Sequence, residues 1–394
     1  MSRPVLVLAQ GGGATAVINS SLIGAVEAAL SSRHFAAILG ARYGIEGVLR
    51  QDFVDLSAQP PEIRQAVAHT PSAALGTTRV RLSPEMADLA VSILQRHHVS
   101  AFIYIGGNDS AETALRLARA AERVHYPLQV VVVPKTIDND LPETDHCPGY
   151  GSVARFWAYA ARDAGLDTAA TAALFPVKLL EVMGRNAGWI AAATALGQTT
   201  PDDPPHLIFF PERPPQSLED AVTAIQQVHA QYGMAVVVVP ETLRDATGRP
   251  LGGAETRWVD PFGHPYHPSP AAALARAVET KLGLRARIDQ PGTIARMLSL
   301  AVSSVDWQEA WTAGAHAVRL LTEGATEVMV TLKRIANEPY TVSFGAVPLS
   351  RVAGRERQLP DAFISEDGHR VTPAFRHYAL PLIGEPPPPP GRFI

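Results

Sequence analysis

Six short runs of largely apolar residues, rich in valine, isoleucine and leucine, recur along the chain, at 5–9 (VLVLA), 101–106 (AFIYIG), 129–134 (QVVVVP), 177–182 (VKLLEV), 206–211 (HLIFFP) and 235–240 (AVVVVP). Each is apolar almost throughout instead of alternating with polar residues, the pattern of a strand covered on both faces of its sheet. Between them lie stretches with helical periodicity, among them 111–124 (AETALRLARAAERV) and 217–233 (SLEDAVTAIQQVHAQYG). The second opens on Ser217 with Glu219 and Asp220 behind it, which suits a helix start. Strands alternating with helices predict an α/β chain: two similar parallel-sheet subdomains with helices on both faces. The first is expected over residues 1–150 and the second over 151–294. Residues 295–345 are expected to return a helix and a strand to the first, and 346–394 to form a C-terminal segment. The prolines around 206–211 read as rigid loops. The terminal GEPPPPPGRFI is polyproline that cannot join a helix or central strand, and a solvated end is expected for it rather than a peptide ligand.

Composition narrows the choice of partners. The 394 residues are 46% apolar and 18% charged, with a net charge of -4, so no broad basic surface for nucleic acid is expected. The apolar run in MSRPVLVLAQGGG is too short for a signal segment, and no stretch reaches the roughly 18 apolar residues of a membrane span. Cytoplasm is the expected location. A single cysteine, Cys147, excludes an internal disulfide and a Cys-based metal site, and reads as a packed thiol. His97 with His98, and His264 with His267, lack a third ligand at a recognisable spacing. No G-x-S-x-G elbow, C-x-x-C pair or H-E-x-x-H helix is present.

The chemistry-bearing residues follow the strands, where open α/β sheets hold their ligands. After the first run comes AQGGGATAVINSSL, whose three glycines let the backbone approach an anion next to a helix N-terminus, although a tight connection without a ligand explains them too. After the second comes GGNDS. Helix capping accounts for one of Asn108, Asp109 and Ser110; hard oxygen ligands for magnesium, shared with a substrate's phosphates, account for more. The third run ends in PKTIDND, where Lys135 can hold a phosphate, Asp138 can accept a hydroxyl proton and Asp140 can orient the loop; a polar turn is the plainer reading. The fourth leads into EVMGRNAGW, with Arg185 placed for a bidentate phosphate contact, and Glu241 ends the last. Arg79, Arg287 and Arg296 are further candidate cations.

Taken in order, GGGATAVIN, GGNDS, PKTIDNDL, EVMGRNAGWIAA, VVVPE and GTIAR resemble the phosphofructokinase superfamily over most of the chain, and its diphosphate-dependent branch in particular. The resemblance implies an active site in the cleft between the two subdomains. It implies magnesium-dependent phosphate transfer from diphosphate to the 1-hydroxyl of fructose 6-phosphate, as in glycolysis and gluconeogenesis, with sedoheptulose 7-phosphate or ATP as substitute substrates, or a silent sugar-phosphate-binding subunit, as the alternatives. By the same resemblance Asp138 is the proton acceptor, and Gly13 and Arg79 lie at the donor. Thr136, Ile137, Asp138, Met183, Gly184, Arg185, Glu241, Thr293 and Arg296 contact the sugar phosphate. Arg287 is given across a subunit interface, which implies a homodimer or homotetramer. Asn108 stands where many members have a metal-linked aspartate, and Thr293 where a histidine or tyrosine is usual. Pro176 takes the position of a second intersubunit arginine, with Lys178 nearby. Asp109 and Lys135 replace the glycines of ATP-dependent members: the carboxylate crowds a nucleotide and the lysine suits free diphosphate.

Overall fold

The computed structural model describes residues 3–391 apart from 257, 260–262 and 264, so His264 and the last three residues of the tail lie outside the described residues. The chain forms two units, one running to Tyr150 and resuming over Met297–Arg357, the other comprising Gly151–Arg296 and the stretch from Gln358 onward.

The first unit opens with β1 (Val5–Gln10), α1 (Ile18–Ser32), β2 (Ala37–Ala41), α2 (Ile45–Arg50), β3 (Phe53–Asp55), α3 (Pro61–Ala68), α4 (Pro84–Arg96), β4 (Val99–Gly106), α5 (Asn108–Arg123) and β5 (Gln129–Pro134). The second contributes α6 (Tyr150–Thr171), β6 (Val177–Val182), α7 (Trp189–Ala193), β7 (Leu207–Ile208), α8 (Leu218–Tyr232), β8 (Ala235–Pro240), β9 (Trp258–Val259), β10 (Pro265–Tyr266), α9 (Pro270–Leu282) and β11 (Ala286–Asp289). The chain then returns through α10 (Ser304–Thr322), β12 (Val328–Asn337) and β13 (Tyr340–Pro348), and ends with α11 (Pro373–Ile383) in the second unit.

In the first unit the strand order is β13-β12-β5-β4-β1-β2-β3. The five central strands are parallel, whereas the two edges, β3 on β2 and β13 on β12, are antiparallel. Parallel strands need both faces covered, and two separate apolar clusters lie on the two sides of this sheet: Val7, Phe102, Val130 and Val132 belong to one, Leu6, Leu8, Ile103 and Val131 to the other. The second unit has the order β11-β6-β8-β7, parallel throughout. Its helix α8 begins as the sequence expects, the Ser217 hydroxyl accepting the Asp220 amide at 3.1 Å. The run at 206–211 shrinks to a two-residue strand, because Phe210 turns back to bridge Arg213.

The tail adds a detail to its expectation. Its described residues are mostly exposed, as expected, but it is anchored at points: Arg155 donates to the carbonyls of Ile383, at the end of α11, and Glu385, Arg162 to that of Pro388 at 2.8 Å, and Pro387 is buried. Extended proline backbone leaves its carbonyls unpaired, and two arginines of α6 satisfy them. Among the described residues no helix is long and apolar enough to cross a membrane.

Candidate active site

In the first unit β1, β4 and β5 are parallel neighbours, so the glycine loop, GGNDS and PKTIDND leave one edge of the sheet side by side. Their contacts join them. The Gly11 amide donates to the Ile105 carbonyl at 2.9 Å, and the Lys135 amide to that of Gly106 at 3.0 Å. Lys135 is 2% exposed, and its Nζ donates to the Gly13 carbonyl at 2.6 Å, so the cation sits under the glycine loop. Gly12 has φ +73°, and a Cβ there would stand 3.2 Å from that Nζ; the position needs glycine both for its left-handed backbone and for the close approach of the lysine.

Two helix N-termini open at this edge. Neither α1, with Val17 before it, nor α5, with Gly107 before it, receives a hydrogen bond from a capping side chain. Capping therefore explains none of Asn108, Asp109 and Ser110. By contrast α4, α8, α9 and α10 are each capped by a serine. The first-turn amides of a helix, with the positive end of its dipole, form an anion site.

Asp138 is the one residue of 131–140 that is not buried. Its amide donates to the Thr136 hydroxyl at 3.1 Å, Thr136 pairs with Gly149, and Asn139, at φ 54°, offers its side-chain oxygen to the Cys147 amide at 3.0 Å. The chain thus closes on itself around Thr136 and Ile137, both buried, and leaves Asp138 partly exposed between them and Asn139. Asp140 accepts from Asn108 Nδ2 at 3.3 Å, which ties the third motif to the second. That bond leaves Asn108 Oδ1 buried without a hydrogen-bond partner. An amide oxygen so placed is a hard donor that fits magnesium, and the residues present are compatible with a cation held jointly with a phosphate. No cluster of three or more His, Cys, Asp or Glu side chains able to hold a metal occurs among the described residues.

Arg79 is half-buried on the loop after α3, and that loop is bound to the same edge. Gln10, at the end of β1, donates to Asn19 at 3.0 Å and accepts from the Leu75 amide at 2.9 Å; Asn19 bonds Thr70 and Ala74. Sequence reading overlooked both residues, although a polar residue closing an apolar strand is a usable signal. It also missed Arg357, whose guanidinium donates to the carbonyls of Asn139, Thr144 and Asp145 and braces the Asp138 loop from more than 200 positions away.

In the second unit Met183, Gly184 and Arg185 leave β6 beside Glu241, which leaves β8, and the Glu241 amide donates to the Val182 carbonyl at 2.8 Å. Gly184 at φ 127° and Arg185 at φ 49° turn their amides toward the Glu241 carboxylate, and the Thr242 hydroxyl holds the Arg185 carbonyl. Burial raises the pKa of Glu241, and the two amides partly offset this. A left-handed arginine is strained, which is common where a loop serves a ligand. Glu212, another residue not foreseen, accepts the amides of Gly188 and Leu359 at 2.9 and 2.8 Å and supports this loop.

Since β11 is parallel to β6, the turn holding Thr293 and Arg296 emerges at the same edge as Arg185; Thr293 is exposed and Arg296 half-buried. Arg287 is not brought to that edge. It pairs in register with Lys178, near the opposite end of β6, stacks on Phe175 at 3.8 Å and lies 3.8 Å from Asp167.

Comparison with known proteins agrees with this architecture. The family model described as Phosphofructokinase matches residues 5–321. A protein of Xanthomonas campestris pv. campestris named pyrophosphate--fructose 6-phosphate 1-phosphotransferase is 38% identical over 98% of this chain and 93% of its own length. A sulfofructose kinase of Alkalicoccus urumqiensis is 33% identical over 92% of each. The crystal structure of a pyrophosphate-dependent phosphofructokinase from Marinobacter aquaeolei superposes with a TM-score of 0.87 at 34% identity, covering 99% of this chain and 94% of that one.

Proposed function

The chain belongs to the phosphofructokinase family, and we propose that it transfers a phosphoryl group reversibly from diphosphate to the 1-hydroxyl of D-fructose 6-phosphate, giving fructose 1,6-bisphosphate. The observation that carries the donor choice is the buried Lys135 cation under the glycine loop, with Asp109 in the first turn of α5. A free diphosphate brings dense negative charge and no nucleoside. A fixed cation and helix N-terminal amides suit that charge, while a carboxylate at 109 repels the longer donor.

Phosphoryl transfer asks the protein mainly for positioning and charge stabilisation. Asp138, the partly exposed carboxylate of its segment, accepts the proton from the attacking hydroxyl. Lys135, with amides of the glycine loop around Gly13, stabilises charge on the moving phosphate, and Arg79 contributes from its tethered loop. Thr136 and Ile137 shape the loop that carries the base. Arg185 and Arg296 hold the sugar's phosphate, and Glu241, with Met183 and Gly184 beside it, receives its hydroxyls. Asn108 Oδ1 would help hold magnesium, which when bound neutralises diphosphate oxygens. Arg287, turned to Phe175 and Asp167 far from Arg185 along the strand, is assigned to a neighbouring copy's site, so the active form is a homo-oligomer. The cytoplasm is its assigned compartment.

Exposed Thr293, together with the sulfofructose kinase among the relatives, supports a second reading in which the acceptor is another sugar bearing an anionic terminal group. A panel of fructose 6-phosphate, sedoheptulose 7-phosphate and sulfofructose with diphosphate tests both readings. Fructose 6-phosphate should give the highest kcat/KM; a higher value for either competitor overturns the acceptor assignment.

A further inference from the structure

We propose that His146 is a positioning residue for phosphoryl transfer: its ring, bridging two carboxylates, fixes residues 145–149 and through them the loop bearing Thr136 and Asp138. The inference rests on the reaction assigned above. The connection to the loop is short. Thr136 donates its amide to the Pro148 carbonyl at 3.2 Å and pairs with Gly149, and the Cys147 amide donates to Asn139 Oδ1. A shift of 145–149 therefore moves both flanks of Asp138.

His146 itself is 1% exposed. Its Nδ1 lies 2.8 Å from Asp145 Oδ1 and its Nε2 lies 2.6 Å from Glu309 Oε2 on α10. Both ring nitrogens face carboxylate oxygens, which only accept, so both must donate and the ring is an imidazolium. The neighbouring groups hold this pair in place. Arg334 on β12 donates to Asp145 Oδ1 at 2.9 Å, and the Tyr340 hydroxyl on β13 donates to Glu309 Oε1 at 2.7 Å. Asp306, one turn before Glu309, accepts the Gly149 amide at 2.8 Å. Burial alone would discharge the histidine, but Glu309 and Asp145 outweigh it and raise its pKa to about 9. Asp145 faces both cations, whereas Glu309 faces only the imidazolium; without it that buried carboxylate loses its countercharge.

The test is the pH dependence of turnover for the wild type, His146→Gln and Glu309→Gln, with diphosphate, fructose 6-phosphate and magnesium. Misplacement of a reacting group by about 1 Å costs about 100-fold in rate, so His146→Gln should lose about 10- to 100-fold in kcat with KM values changed less than about threefold. Glu309→Gln, which keeps shape and removes one countercharge, should move the alkaline limb of the kcat profile to lower pH. Should His146→Gln fail to fold, that shift decides alone. Wild-type kcat in His146→Gln, or an unmoved alkaline limb in Glu309→Gln, overturns the role of His146. An inactive wild type would instead remove the assigned reaction, and the inference with it.

Discussion

Replacing Lys135 by methionine separates the charge of this residue from its volume. In the native protein Nζ is buried and donates to the Gly13 carbonyl at 2.6 Å, on a loop that is itself partly exposed. Methionine fills the stem's space, and water can reach the abandoned carbonyl, so folding should lose only about 1 kcal/mol. The effect on the transition state is larger. Two unit charges about 4 Å apart interact by about 4 kcal/mol at an effective dielectric constant near 20, and a single stabilising donor at a developing charge is worth about 10²- to 10³-fold in rate. Steady-state formation of fructose 1,6-bisphosphate should thus show kcat/KM for diphosphate reduced about 10²- to 10³-fold, while urea unfolding shows a nearly unchanged midpoint. A reduction below about threefold in a folded variant would refute the assignment of Lys135 to the donor, because a buried cation beside a phosphate cannot be removed at so small a cost.

Asp138→Asn should lower turnover on the order of 10³-fold while leaving sugar-phosphate binding, read by calorimetry, within about twofold; near-normal turnover removes it from the role of base. Stability should depend on pH through His146. Its folded pKa of about 9 lies above the ordinary histidine value of 6.5, so its contribution is complete below 6.5 and is lost as pH rises toward about 9. His206, lowered to about 4 by burial, acts oppositely, costing stability as pH falls below 6.5, outside the window from 6.5 to about 9 in which His146 acts. Thermal melts across that window should lose on the order of 3 kcal/mol, and a flat profile would contradict the charged state of the ring.

Much of the fold was readable because the relevant information is local. The runs at 129–134, 177–182 and 235–240 coincide with β5, β6 and β8, since a continuous β-branched segment has no other comfortable place than a covered sheet. The β12–β13 hairpin was legible only as one strand: its burial is mixed along β12, and β13 alternates between partial burial and exposure, so no long apolar run marks it. The candidate site followed the same division. Lys135, Asn108 and Gly13 are found together because each follows a strand whose neighbours are set by topology. Arg357, Glu212 and the His146–Glu309 pair act across long sequence separations, and nothing in their immediate neighbours announces a partner. Asp140, whose purpose was open in the sequence, proves to be the acceptor for Asn108.

The central claim is that diphosphate, and not a nucleotide, is the phosphoryl donor. The most direct measurement is kcat/KM for diphosphate and for ATP on the unmodified protein, with fructose 6-phosphate and magnesium saturating. Diphosphate should be favoured by at least about 100-fold, the discrimination that a repelled carboxylate and a mismatched cation produce at roughly 1.4 kcal/mol per factor of ten. Equal use of both donors, or preference for ATP, would contradict the account.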